Sequence, residues 1–124
     1  MATFHHYIAV AATLAFLTGC AYLPLKKGEQ MLSAGIKNYE EGNYKKAAKN
    51  LQDSLDAGLS NKNDQVKAHK YMAFIHCASG RQSQCRDSFK KALEINPDFK
   101  LAPAEAGHPI WGPVFQGIRP QSIK

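Results

Sequence analysis

Residues 42–55 read GNYKKAAKNLQDSL, and residues 80–93 read GRQSQCRDSFKKAL. Gly80 stands 38 positions after Gly42, and the same offset relates Cys85 to Ala47, Phe89 to Leu51, Leu93 to Leu55 and, upstream, Ala73 to Gly35. Small side chains match small ones and large apolar ones match large ones. A fixed offset of this size marks stacked supersecondary units. In the first stretch Tyr44, Ala47, Ala48, Leu51 and Leu55 fall on one face at helical spacing. In the second, Cys85, Phe89, Ala92 and Leu93 do the same, and Asn96-Pro97 ends the run because proline disfavours helix in the residue before it.

Working outward, each unit reads as two helices joined by a short turn. Glu29 to Glu41 forms the first helix, Gly42-Asn43 the turn, and the second helix stops at Gly58. A polar loop, Ser60 to Asn63, follows, and Asp64 is expected to cap the third helix. That helix runs to about Ala78 with apolar positions Ala68, Tyr71, Met72, Phe74 and Ile75, and Ser79-Gly80 turns the chain into the fourth. The expected fold class is all-α, with the two helix pairs spanning residues 29–99.

Two such units seldom bury enough surface alone. The segment 100–124 is the candidate cover. Within it, residues 101–116 read LAPAEAGHPIWGPVFQ and carry the chain's single tryptophan. Pro103, Pro109 and Pro113 forbid a long helix. Ile110, Trp111, Val114 and Phe115 have helical spacing over one or two turns. This predicts a cap on the second unit with Trp111 as its main buried contact. The other reading is that the patch docks a partner.

The chain holds 16 Lys and Arg against 10 Asp and Glu, a formal charge of +6, all of it at or beyond Lys26. A basic excess suits an anionic membrane surface or an acidic partner. No dense basic run with interleaved aromatics occurs, so nucleic acid is not expected as a partner. Residues 8–17 read IAVAATLAFL, too short for a spanning helix of about 20 residues and in the range of a signal-peptide apolar region. Leu17-Thr18-Gly19-Cys20-Ala21 follows. The segment before the apolar run contains His5 and His6 but no Lys or Arg, a departure from ordinary signal peptides.

Residues 17–21 resemble the lipobox of bacterial lipoproteins. That resemblance implies a signal peptide at 1–19, a lipid on Cys20 as membrane anchor, and a tether at 20–28. It also implies, from Ala21 in place of the aspartate that favours inner-membrane retention, an outer-membrane location facing the periplasm. The helix pairs resemble tetratricopeptide repeats. The carriers are Ala47, Leu51 and Ser54 in unit one, and Cys85, Phe89, Ala92 and Pro97 in unit two. Met31 and His69 stand where that family has an aromatic, Asn38 and His76 where it has tyrosine, and the polar loop lengthens the repeat. The resemblance implies a concave partner-binding face built from the first helix of each pair, here Leu32, Ile36, Tyr39, Lys67, Lys70 and Phe74. The lipobox with DQVKAHKYMAFIHC (64–77) and LAPAEAGHPIWGPVF (101–115) resembles tetratricopeptide lipoproteins of type VI secretion clusters. This implies an accessory lipoprotein that binds a protein of the cell envelope or secretion apparatus. Alternatives of other classes are a pilotin-like chaperone for an outer-membrane secretin and a structural envelope-assembly protein.

Catalytic signatures are missing: there is no H-E-x-x-H, C-x-x-C or G-x-S-x-G. His69 and His76 are two helical turns apart, too far to share a metal without another segment. No metal, cofactor or small-molecule substrate is expected, and the chain reads as a binding protein rather than an enzyme. Cys77 ends one helix and Cys85 begins its antiparallel neighbour, so the two face across the turn. A disulfide and a pair of small buried thiols both fit that placement.

Overall fold

The computed structural model describes residues 25–119. The expected signal segment, Cys20, the tether up to residue 24 and the tail from residue 120 lie outside the described residues. Within them the chain is helical: α1 (Lys27–Glu40), α2 (Tyr44–Ala57), α3 (Lys62–Ala78), α4 (Gln82–Ile95), α5 (Pro103–Ala106) and α6 (Gly112–Ile118). None of these helices is long and apolar enough to cross a membrane.

The two main turns are built alike. Gly42 and Gly80 take positive φ, 80° and 74°, a conformation glycine adopts without a Cβ clash. Just beyond them the Asn43 amide donates to the Asn38 carbonyl and the Arg81 amide to the His76 carbonyl, each at 2.8 Å. These six-to-one bonds satisfy helix-end carbonyls and reverse the chain. Short connections make neighbouring helices antiparallel. α1 therefore lies along α2, α3 along α4, and α3 also touches α1 and α2. Both tight turns fall at one end of the molecule. The start of α1, the loop at 58–61 and the end of α4 fall at the other.

Two local expectations are corrected. Gly28 was assigned to a non-helical tether, yet it is buried inside α1. The helix starts early because the Glu29 carboxylate reaches back to accept the Lys26 amide at 2.8 Å, satisfying a free donor. A Cβ at Gly28 would collide with the carbonyl oxygen of Gly58, so the glycine allows the start of α1 to meet the end of α2. Asp64 is not the cap of α3. Asn61 is, its side chain accepting the Asn63 amide at 2.8 Å. Asp64 lies in the first turn, where a negative charge favours the helix N-terminus.

Small residues set the close crossings. A Cβ on Gly35 would sit 2.8 Å from Leu51 Cγ and 3.2 Å from its amide nitrogen. Ala47, Ala68, Ala73, Cys85 and Ala92 are fully buried. One apolar cluster joins Leu32, Ala47, Leu51, Leu59, Ala68 and Ile75. The other joins Ala73, Phe74, Cys77, Cys85, Phe89 and the C-terminal residues Leu101, Trp111 and Phe115. Buried Ser54, the counterpart of Ala92, donates its hydroxyl to the Leu51 carbonyl at 2.6 Å, which removes the cost of an unpaired polar group.

α6 lies on α4, with Phe115 edge-on to Phe89 at 5.1 Å and to Phe99 at 5.5 Å. Trp111 stacks on Phe74 at 4.3 Å. Ile110, grouped with Trp111 by spacing, is instead 47% exposed. Both fall in the turn before α6, which directs Trp111 onto Phe74 and leaves Ile110 outside.

Cys77 and Cys85 are joined by a disulfide across the α3–α4 turn, their Cα atoms 5.1 Å apart. Closing so short a loop restricts the unfolded chain by roughly 2–3 kcal/mol. Replacing both with serine is expected to lower the unfolding free energy in urea by about that amount, and thiol titration of the unreduced, denatured chain should find neither cysteine free.

Candidate functional site

The six residues expected on a concave face divide into two groups. Leu32, Ile36 and Lys67 line a groove of about 540 Å³ between α1 and α3, together with Leu25. Its floor is apolar, and Leu32 is also part of the core. Its rim is mixed: Glu29, Glu40 and Asp64 line it beside Lys37 and Lys67. The Lys67 ammonium is 3.7 Å from the Asp64 carboxylate. The groove thus presents charges of both signs.

Tyr39, Lys70 and Phe74 are drawn into the contact with the C-terminal cap. Phe74 is 2% exposed and covered by Trp111, so it cannot touch a partner while the cap is closed. Lys70 donates to Glu105 at 2.7 Å, with both side chains mostly buried. Its ammonium also lies 5.0 Å from the Tyr71 ring centre and 5.7 Å from that of Phe74, within cation–π range. Tyr39 meets Tyr71 edge-on at 5.0 Å and Tyr44 at 5.5 Å. Burial, with the neighbouring phenols Tyr44 and Tyr71 and the Glu105 carboxylate, pushes the Tyr39 hydroxyl up to about 12. Tyr71 is also raised, by burial first and then by Glu105 and Glu40. Both rings are neutral phenols at physiological pH.

Glu105 is the polar hub of the cap. One carboxylate oxygen accepts from Lys70, the other from the Ala102 amide at 3.0 Å, and its carbonyl accepts from the Trp111 indole at 2.9 Å. The sequence reading missed it. Its position three residues after Ala102 and two after Pro103 carries a helix-start signal, but its partner Lys70 is 35 residues away and nothing local links them. His108 stacks flat on Trp111 at 3.4 Å, and its Nδ1 accepts the Ile110 amide at 3.2 Å.

A second groove, about 560 Å³, runs between α2, α3 and α4 and includes His69, His76, Asp87 and Lys91. Burial lowers the His69 pKa, with Lys91 adding to the effect and Glu94 opposing it. Burial and then Arg81 lower that of His76, whose Nδ1 is buried without a hydrogen-bond partner. Both imidazoles are thereby held neutral at pH 7. Among the described residues no group of three His, Cys, Asp or Glu side chains is placed to hold a metal ion.

Two outcomes are expected. Trp111→Ala strips the cover from Phe74 and should cost about 3–5 kcal/mol in urea unfolding, the range for removing a large buried aromatic. The histidines set a pH dependence. Their folded values lie below the ordinary 6.5, so between those values and 6.5 the unfolded chain binds more protons than the folded one. Stability is therefore complete above about 6.5 and falls as the pH drops through that window. A His69→Gln, His76→Gln double variant should show a flatter urea midpoint between pH 7.5 and pH 5.

Comparison with protein-family models, characterised proteins and solved structures gave no match.

Proposed function

We propose that the chain is a lipid-anchored periplasmic adaptor of the bacterial outer membrane. In this reading two tetratricopeptide-like helix pairs and a C-terminal cap hold a protein partner. The observation that carries the anchor is the sequence Leu17-Thr18-Gly19-Cys20-Ala21, which begins on the last residue of the ten-residue uncharged run 8–17. A diacylated and N-acylated cysteine has enough buried methylenes for lasting attachment, at about 0.8 kcal/mol each, where a single chain binds only reversibly. Ala21 supports sorting to the outer membrane. The adaptor half is supported by the matched hairpin turns and by the α1–α3 groove, whose lining of Leu32, Ile36 and Lys67 beside carboxylates suits a mixed-charge amphipathic segment. The chain acts by binding and not by catalysis, and the partner class is a component of a type VI secretion apparatus.

Radiolabelled palmitate should be incorporated into the wild-type protein and co-fractionate with outer membranes. Cys20→Ala should lose the label and the membrane association together. A Cys20→Ala protein that stays membrane-bound at an unchanged mass would overturn the anchor. For the adaptor role, crosslinking and purification from cells that express a type VI apparatus should recover one of its envelope components. Recovery of a secretin or of envelope-assembly proteins instead would replace that partner.

A further inference from the structure

A third cleft, about 360 Å³, opens where the start of α2 meets the end of α3, lined by Tyr44, Lys45, Ala48, Ile75, Ser79 and Arg81. Its charge sets it apart from three other clefts among the described residues. The α1–α3 groove contains three carboxylates and the histidine groove contains Asp87. A fourth cleft, with Lys27, is lined by Asp53 and Asp56. This one is lined by two cations and no carboxylate. Among the described residues the ion pairs are Lys37–Glu41, Lys49–Asp53, Lys67–Asp64 and Lys70–Glu105, so Lys45 and Arg81 are both uncommitted. Tyr44, 42% exposed, adds an apolar wall.

We propose that this cleft binds an acidic protein segment, with Arg81 and Lys45 holding two of its carboxylates and Tyr44 packing against the intervening chain. Arginine offers a planar fork matched to a carboxylate and lysine a point charge. Placement favours a protein over a lipid headgroup as occupant, a choice that rests on the lipid anchor at Cys20. The cleft lies at the turn end, one helix length from the start of α1. The 14 residues of α1 span roughly 21 Å, and the five residues from Cys20 to Leu25 reach at most about 17 Å. The attachment point thus lies at the end opposite the cleft, which leaves the cleft free to face outward from the membrane that holds the chain. It is also separate from the α1–α3 groove, so a partner could occupy both.

The test uses the full chain in detergent and a fluorescein-labelled ten-residue glutamate peptide, read by anisotropy at low salt. Binding should weaken about tenfold in a Lys45→Gln, Arg81→Gln variant, the scale of two exposed charge contacts. A Lys62→Gln, Lys90→Gln control, which removes the same charge elsewhere on the surface, should change it less than about threefold. All four residues are exposed, and circular dichroism should stay unchanged. If the double variant unfolds, Lys45→Gln alone gives the comparison against Lys62→Gln. Equal weakening in cleft and control variants, or no binding, would overturn the proposal. So would capture of phosphatidylglycerol vesicles by the unlipidated Cys20→Ala chain that is lost with Lys45 and Arg81, since that makes the occupant a membrane. Palmitate labelling reports on Cys20 independently, so failure of the anchor and failure of the cleft are distinguishable.

Discussion

Phe74 sits where three parts of the chain must meet. Its ring stacks on Trp111 of the cap, meets Phe89 of α4 edge-on at 6.0 Å, and lies 6.2 Å from Tyr39 of α1. Two helix pairs alone would leave this face of α3 in water. A phenylalanine that large contributes on the order of 1.5–3 kcal/mol when fully buried, and the gain is realised only once the C-terminal segment folds back over it. Tyr39 and Tyr71 pack against both apolar clusters, so the same aromatic group that seats the cap also ties the first helix pair to the second. The disulfide adds a covalent tie beside Phe74, at the turn where α3 becomes α4.

That arrangement has a consequence for binding. The face formed by the first helix of each pair is not open along its length. Its second half is occupied by the cap, with Lys70 committed to Glu105 and Phe74 to Trp111. On that face the α1–α3 groove near the start of the chain stays accessible, while the histidine groove and the basic cleft open beside α2. The accessible surface is therefore divided into smaller clefts of different charge rather than one continuous groove.

Much of the fold was legible in the sequence because it is local. Spacing of Ala47, Leu51, Cys85 and Phe89 placed the helix faces, Gly42 and Gly80 placed the turns, and the three prolines limited the C-terminal helices. The misreadings were also physical. Gly28 fell in the expected tether, since sequence offers no sign that α2's end would come close enough to need a missing Cβ. Asp64 and Asn61 are both good caps, and only the backbone path decides between them. Lys70 and Phe74 looked like an exposed binding pair because their partners, Glu105 and Trp111, arrive from far along the chain.

The sequence by itself determined what short-range sterics and periodicity control: helical class, repeat offset, turn positions, and a C-terminal segment too proline-rich for a long helix. It also held the stretch Leu17 to Ala21, whose resemblance to a lipobox resides in consecutive residues. Tertiary structure decided which apolar residues are core and which are surface, which lysines keep a free charge, and where the remaining clefts lie. Those outcomes depend on contacts between residues tens of positions apart. Whether a given ammonium is paired or free follows from the three-dimensional path that brings a carboxylate to it or leaves it alone, as the contrast between Lys70 and Lys45 makes plain.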